Sequence, residues 1–170
     1  TYEFYVDDDP ERGLAKFLNN FSWKLTEELE ADISELNRDL RLRMKKNGGG
    51  SIVFINSNTA YRAIPDRVAY VASKGGQLGL MRALAIDLGK YNIRVNAVLP
   101  GMIRTDRWEK NPEFYKNVPS RFTPLGDVAD GKDIADAVWY FAAHARNTTG
   151  AELVVDGGNT IQLYPIIPEE

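Results

Sequence analysis

Cysteine is absent from these 170 residues, and histidine occurs once, at His144. Without thiolates there is no disulfide framework and no cysteine-based zinc site, and one imidazole cannot assemble a histidine-rich metal shell, so no metal is expected. His144 falls on a segment of helical periodicity and reads as a surface residue rather than a ligand. Cysteine-free composition suits a reducing compartment, which predicts a cytoplasmic protein. No apolar run approaches the ~18 residues a membrane span needs, and no basic-then-apolar stretch opens the chain, so no membrane association is expected. Basic charge is not in excess either. Lys and Arg number 21 against 24 Asp and Glu, a net charge of -3, which leaves no electrostatic footprint for nucleic acid. Glycine is missing from the early chain: of 14 glycines only Gly13 precedes Gly48. Nothing before Asn47 can therefore form a glycine-rich phosphate-binding turn, and Gly48-Gly49-Gly50 precedes a strand and reads as the end of the preceding helix.

What is present suits one domain with a substantial core, since 44% of the residues are hydrophobic. The nearly continuous apolar run from Ser51 to Ser57 predicts a strand buried on both faces. Residues 68–90 follow as a long helix, with apolar Leu78, Leu80, Leu84 and Leu88 and small Ala72, Gly75, Gly76 and Gly79, which would let another backbone approach closely. A strand is expected at 94–99, a helix at 133–144 with Ile134, Val138, Phe141 and Ala142 on one face, and a last strand at 152–155. Ahead of these, Leu29, Ile33, Leu36, Leu40 and Met44 form an apolar helical stripe, with acidic residues crowding its start and basic residues its end. Alternation of strand and helix predicts an α/β fold, a parallel sheet with helices on both faces. Sites in such sheets lie at the carboxyl ends of the strands, the edge where Ser57 and the Pro100-Gly101 turn fall.

Chemistry concentrates at Tyr70, Lys74 and Ser57. Residues four apart share a helix face, so Tyr70 and Lys74 project from adjacent turns into one space. A phenol titrates near pH 10, and a cation about 4 Å away, worth roughly 4 kcal/mol at an effective dielectric of about 20, favours the phenolate. Tyr70 is thereby a candidate proton donor and acceptor near neutral pH. Ser57 would donate a hydrogen bond to a substrate oxygen as charge develops on it. A Tyr-x-x-x-Lys pair alone arises by chance about 0.4 times in a chain of this composition, but requiring one of six serines at the upstream position lowers that to roughly 0.015.

The stretch from Asn92 through Asn96, Pro100, Gly101, Met102, Ile103 and Arg104 to Thr105 follows, and Thr149-Gly150-Ala151-Glu152-Leu153-Val154-Val155-Asp156-Gly157-Gly158 lies near the C-terminus. Together with Ser57, Tyr70 and Lys74, these resemble the short-chain dehydrogenase/reductase family from about Asn47 to Asn159. The resemblance implies a Rossmann-like sheet within one domain: a divergent part at 1–46, a catalytic half at 47–159 and a tail at 160–170. It implies carbonyl or secondary-alcohol redox chemistry with NAD or NADP. Tyr70 would be the acid/base, Lys74 would bind the nicotinamide ribose and lower the tyrosine pKa, and Ser57 would polarise the substrate carbonyl. Pro100 and Gly101 would shape the turn beside the nicotinamide, with Ile103 and Thr105 contacting its carboxamide, and Asn96 would be scaffold. Residues 106–127 would form a mobile lid over a small-molecule substrate. There Trp108, Phe114, Tyr115 and Phe122 either line a pocket or anchor the lid, and Arg104, Arg107 or Arg121 would meet an anionic group. The long helix would be a subunit interface of a homo- or hetero-oligomer.

The first fifty residues depart from the family pattern. Glu3 to Val6 followed by Asp7-Asp8-Asp9-Pro10-Glu11 is similar to the family's third strand and acidic turn, with a helix over 12–21, but Asn19-Asn20 lacks the expected following glycine. The position of the family's catalytic asparagine falls near Leu29, eight residues from Asn37. Two expectations follow. Either the chain is the catalytic portion of a nicotinamide-dependent oxidoreductase whose nucleotide-binding half lies outside this sequence, or it is a degenerate subunit that holds no cofactor and supports an active homologue.

Overall fold

Among the described residues, the central strand is the most deeply covered element. In the computed structural model, which describes residues 30–116 and 118–164, Val95, Ala97, Val98 and Leu99 are all inaccessible to solvent. Burying such side chains contributes about 1.5–3 kcal/mol for each Val or Leu. The expected strands at the start of the chain, the helix over 12–21, and most of the tail lie outside the described residues.

The chain divides into two units by contact, up to Arg43 and from Met44 onward. Helix α1 covers residues 30–45. Ile33 and Leu40 are half-buried and Leu36 is exposed. In the second unit the order is β1 (Gly50–Ile55), α2 (Val68–Gly89), β2 (Ile93–Pro100), α3 (Asp106–Lys110), α4 (Pro112–Tyr115), α5 (Val118–Phe122), α6 (Gly131–Trp139) and β3 (Glu152–Val155). The three strands form a parallel sheet in the order β1-β2-β3. Gly50 pairs with Ile93 at one end of β1 and Ile55 with Val98 at the other, while Ala97 to Pro100 pair with Glu152 to Val155.

Both faces of β2 are used, as an uninterrupted apolar strand demands. Val98 packs with Ala137, Phe141 and Ala145 of the α6 side, together with half-buried Val53, Leu153 and Val155. Side chains alternate along a strand, so Val95, Ala97 and Leu99 point to the other face. There α2 packs on β2 and buries Leu78, Met81, Leu84, Ala85 and Leu88. The expected α/β architecture is therefore present, with strand limits shifted by one or two residues.

Two local features explain where the elements end. Asn92, left-handed at φ 59, closes α2 through its amide to the Gly89 carbonyl (2.9 Å). The chain after α1 passes so close to it that a Cβ on Gly49 would sit 2.2 Å from the Asn92 oxygen. That approach, with φ +118, is why glycine stands there. The second feature corrects the expected helix over 133–144. It is α-helical only to Trp139 and widens at Tyr140–His144 into a π turn, closed by the Ala145 amide on the Tyr140 carbonyl (3.0 Å). The extra residue rotates Ala142 out to solvent and brings Ala145 into the core in its place. His144 lies on this turn, exposed, its ring edge-on to Trp139.

Candidate active site

Ser57, Asn58 and Thr59 leave the carboxyl end of β1 as a buried turn. Ser57 is extended (φ -165, ψ 148) and caps the short helix Asn58–Ala60. Its Oγ accepts from the Thr59 amide at 3.2 Å and from the Thr59 hydroxyl at 2.9 Å. Asn56 ties this turn to α2. Its Oδ1 accepts from the Ser57 amide (2.7 Å), and its Nδ2 donates to the Lys74 carbonyl (2.9 Å) and to Gln77 Oε1 (2.8 Å).

On α2, Lys74 Nζ lies 5.7 Å from the centroid of the Tyr70 ring and donates to the Ile55 carbonyl at 3.2 Å. Tyr70 and Lys74 thus share one helix face, and the Lys74 ammonium reaches the last residue of β1, whose following turn Asn56 ties to α2. Tyr70 is 43% exposed, and among the described residues its hydroxyl makes no hydrogen bond. Lys74 has protons beyond the one given to Ile55, since an ammonium carries three donors. An exposed phenol and ammonium are both free to donate hydrogen bonds outward.

Pro100 closes β2 where its missing N–H is harmless: the amides directed at β3 are those of alternate residues such as Ala97 and Gly101 (2.9 Å to the Val155 carbonyl), and pairing with β1 ends at Val98. Gly101 is pressed against the segment after β3: a Cβ there would meet Asp156 Cβ at 2.4 Å. Ile103 bridges Ala129, and Thr105 precedes α3 with its carbonyl accepting from the Trp108 amide at 2.8 Å. The four residues expected beside a nicotinamide thus form one continuous turn leading away from β2. Asn96, wholly buried, donates from Nδ2 to the Thr148 carbonyl and accepts at Oδ1 from the Ala151 amide, both at 3.0 Å, as expected of scaffold.

Residues 106–122 carry three short helices. Trp108 stacks on Tyr115 with centroids 4.4 Å apart, a contact within the segment itself. Arg104 pairs with Asp127 at 2.6 Å and lies over Trp108, so the anionic group it meets is the chain's own. Phe122 lines a cavity of about 180 Å³ with Asn58, Thr59, Arg62, Asn159 and Gln162.

Sequence reasoning missed three participants. Asn56 stood at the strand end without a role, Thr59 was unnoticed, and Asp156 was quoted within a motif but not interpreted. Asp156 Oδ2 accepts from Asn58 Nδ2 (3.3 Å) and the Thr160 amide (2.7 Å), and its Oδ1 from the Gly158 amide (2.9 Å). Burial pushes its carboxyl up, and the donors from Thr160, Gly158 and Asn58 outweigh that and hold it below the usual range. The signal was available: an acid before two glycines reads as a turn that its side chain organises.

A family model described as enoyl-(acyl carrier protein) reductase matches residues 34–160. L-rhamnose-1-dehydrogenase of Scheffersomyces stipitis is 43% identical over 124 residues, covering 71% of this chain and 48% of the relative. The solved structure "ElxO with NADP Bound" superposes with a TM-score of 0.65 at 30% identity, covering 71% of this chain and 50% of that one. A 7α-hydroxysteroid dehydrogenase complexed with NADH and 7-oxo glycochenodeoxycholic acid gives 0.65 at 34% identity, covering 74% and 50%. The chain spans about half the length of the relatives it matches.

Proposed function

Because the chain belongs to the short-chain dehydrogenase/reductase family, we propose that it carries the proton-handling half of an oxidoreductase acting on a carbonyl or secondary alcohol, with Tyr70 as acid/base. What supports this reading is that Lys74 Nζ, 5.7 Å from the Tyr70 ring centroid, donates to the Ile55 carbonyl at the end of β1, while Asn56 ties the Ser57 amide to the Lys74 carbonyl. Ser57 Oγ has both acceptor sites occupied by Thr59, so its own proton remains to be given to a substrate oxygen. The Tyr70 phenol passes a proton to that oxygen in reduction and takes it back in oxidation. Lys74 would hold the ribose hydroxyls of a bound nicotinamide cofactor with its remaining protons. Pro100 and Gly101 would shape the turn beside the nicotinamide, and Ile103 and Thr105 would contact its carboxamide. A bound NAD or NADP supplies or accepts the hydride. Neither form is favoured by the residues on this edge.

A second reading rests on one observation, the absence of a glycine-rich turn before Asn47. In it the chain is a subunit that holds no nicotinamide and supports an active homologue. Calorimetric titration of the full-length protein with NAD+, NADH, NADP+ and NADPH separates the two. The first reading expects saturable binding of at least one pair. It also expects nicotinamide reduction with an alcohol probe, L-rhamnose first because of the similar dehydrogenase, that falls about 10²–10⁴-fold in Tyr70→Phe. No binding of any of the four would overturn it and leave the second.

A further inference from the structure

Resting on the reading of Ser57 as the donor to the substrate oxygen, we propose that Thr59 is a positioning residue whose hydroxyl fixes the rotamer of Ser57 and dedicates its proton to that oxygen. A serine hydroxyl carries one proton and two lone pairs, and its torsion is otherwise free to turn among three wells. An amide two residues on, accepted by the serine oxygen, is the ordinary bond of a helix cap, and any residue but proline at position 59 supplies it. Here a second bond is added by the side chain. The Thr59 hydroxyl donates to the same Oγ at 2.9 Å, beside the amide at 3.2 Å.

Two consequences follow. Both lone pairs of Ser57 are engaged, so the serine has no acceptor site left and meets a substrate only by donating. Its Oγ is also held at two points, which selects one rotamer before substrate arrives. The pair is shielded, with Ser57 8% and Thr59 9% exposed, so water does not compete freely for these bonds. The turn below is immobilised independently, by Asn56 on the Ser57 amide and by Asp156 on Asn58. What Thr59 adds is therefore confined to the orientation of one hydroxyl. A preorganised donor of this kind acts where charge develops in the transition state, so its loss falls on kcat rather than on KM.

The test uses the full-length protein with L-rhamnose and the nicotinamide form it binds, in four versions: wild type, Ser57→Ala, Thr59→Val and Thr59→Ser. Thr59→Val keeps the shape and the amide and deletes the hydroxyl; Thr59→Ser keeps the hydroxyl. The expected result is a fall in kcat of about tenfold in Thr59→Val with KM within about twofold, near-complete recovery in Thr59→Ser, and a fall of at least about a hundredfold in Ser57→Ala. Full activity in Ser57→Ala would overturn the underlying reading. Loss in Ser57→Ala with unchanged kcat in Thr59→Val would overturn the role of Thr59 alone, as would equal losses in Thr59→Val and Thr59→Ser. Crystal structures of the two Thr59 variants provide an arm independent of turnover, and decide the matter if L-rhamnose is not a substrate. Ser57 Oγ should leave its position in Thr59→Val and keep it in Thr59→Ser; an Oγ that stays in place in Thr59→Val overturns the proposal.

Discussion

Asn56 does at the scale of one residue what a longer linker would otherwise do. Its amide spans the gap between the end of β1 and α2, contacting the Ser57 amide, the Lys74 carbonyl and Gln77. Replacing it with Ala removes three bonds, one buried and two part-buried, and leaves their partners to find others, a loss of roughly 1–3 kcal/mol by the usual cost of unsatisfied buried groups. Urea unfolding of Asn56→Ala should show a lowered midpoint. The same variant should lose turnover while retaining its circular dichroism at neutral pH, because Ser57 and Lys74 are no longer tied together. Asn96 is a contrasting case. Its bonds go to the Thr148–Ala151 loop, so Asn96→Ala should cost a similar amount of stability, read by the same unfolding curve, through loosening of the entry to β3. Tyr70 and Lys74 were legible in the sequence because helix periodicity is a local property. Asn56 and Thr59 were not, because their partners are chosen by how a turn closes after the strand.

Among the elements, the turn after β2 and the π turn after α6 depend on close approach. Gly101 is pinned between the Val155 carbonyl and Asp156, and a methyl group there would meet backbone-proximal atoms that cannot swing aside. Gly101→Ala should therefore displace the segment from Ile103 to Thr105, lowering the thermal midpoint and weakening nicotinamide binding together, as calorimetry on the full-length protein would report. The π turn survives because its carbonyls are capped. Arg94 donates to those of Phe141, Ala142 and Ala145, and Ser51 to that of Phe141, placing positive charge at a helix C-terminus. Arg94→Met keeps the stem and removes the caps, and is expected to cost about 2 kcal/mol in denaturant unfolding. The apolar period predicted the helix itself. It could not predict the widening, since one inserted residue leaves composition unchanged and only the packing of Phe141 and Ala145 against Val98 rewards it.

At the scale of the molecule, two carboxylates give opposite pH dependences. Asp156 is depressed in the fold, so its contribution is present above the ordinary aspartate value near 3.9 and is lost as pH falls through the folded value. The stability gap between wild type and Asp156→Asn should thus be open at neutral pH and close in acid, followed by unfolding at a series of pH values. Glu152 is raised by burial, although Arg82 pairs with it at 2.6 Å and the Tyr61 hydroxyl donates to it. Its contribution is present below the ordinary glutamate value of about 4.3 and is lost as pH rises through the folded value. Outward from the core, α2 presents Gly75, Gly76 and Gly79 to open space, and among the described residues no helix is long and apolar enough to cross a membrane.

The amino-acid sequence by itself determined the alternation of strands and helices, the parallel sheet, and the trio of Ser57, Tyr70 and Lys74, because periodicity, strand composition and four-residue spacing are set by the local chain. Tertiary structure alone decided which groups hold that trio in place. Asn56, Thr59 and Asp156 act across separations of up to about a hundred residues or through the closing angle of a single turn, and only the packed fold brings each donor within hydrogen-bonding distance of its acceptor.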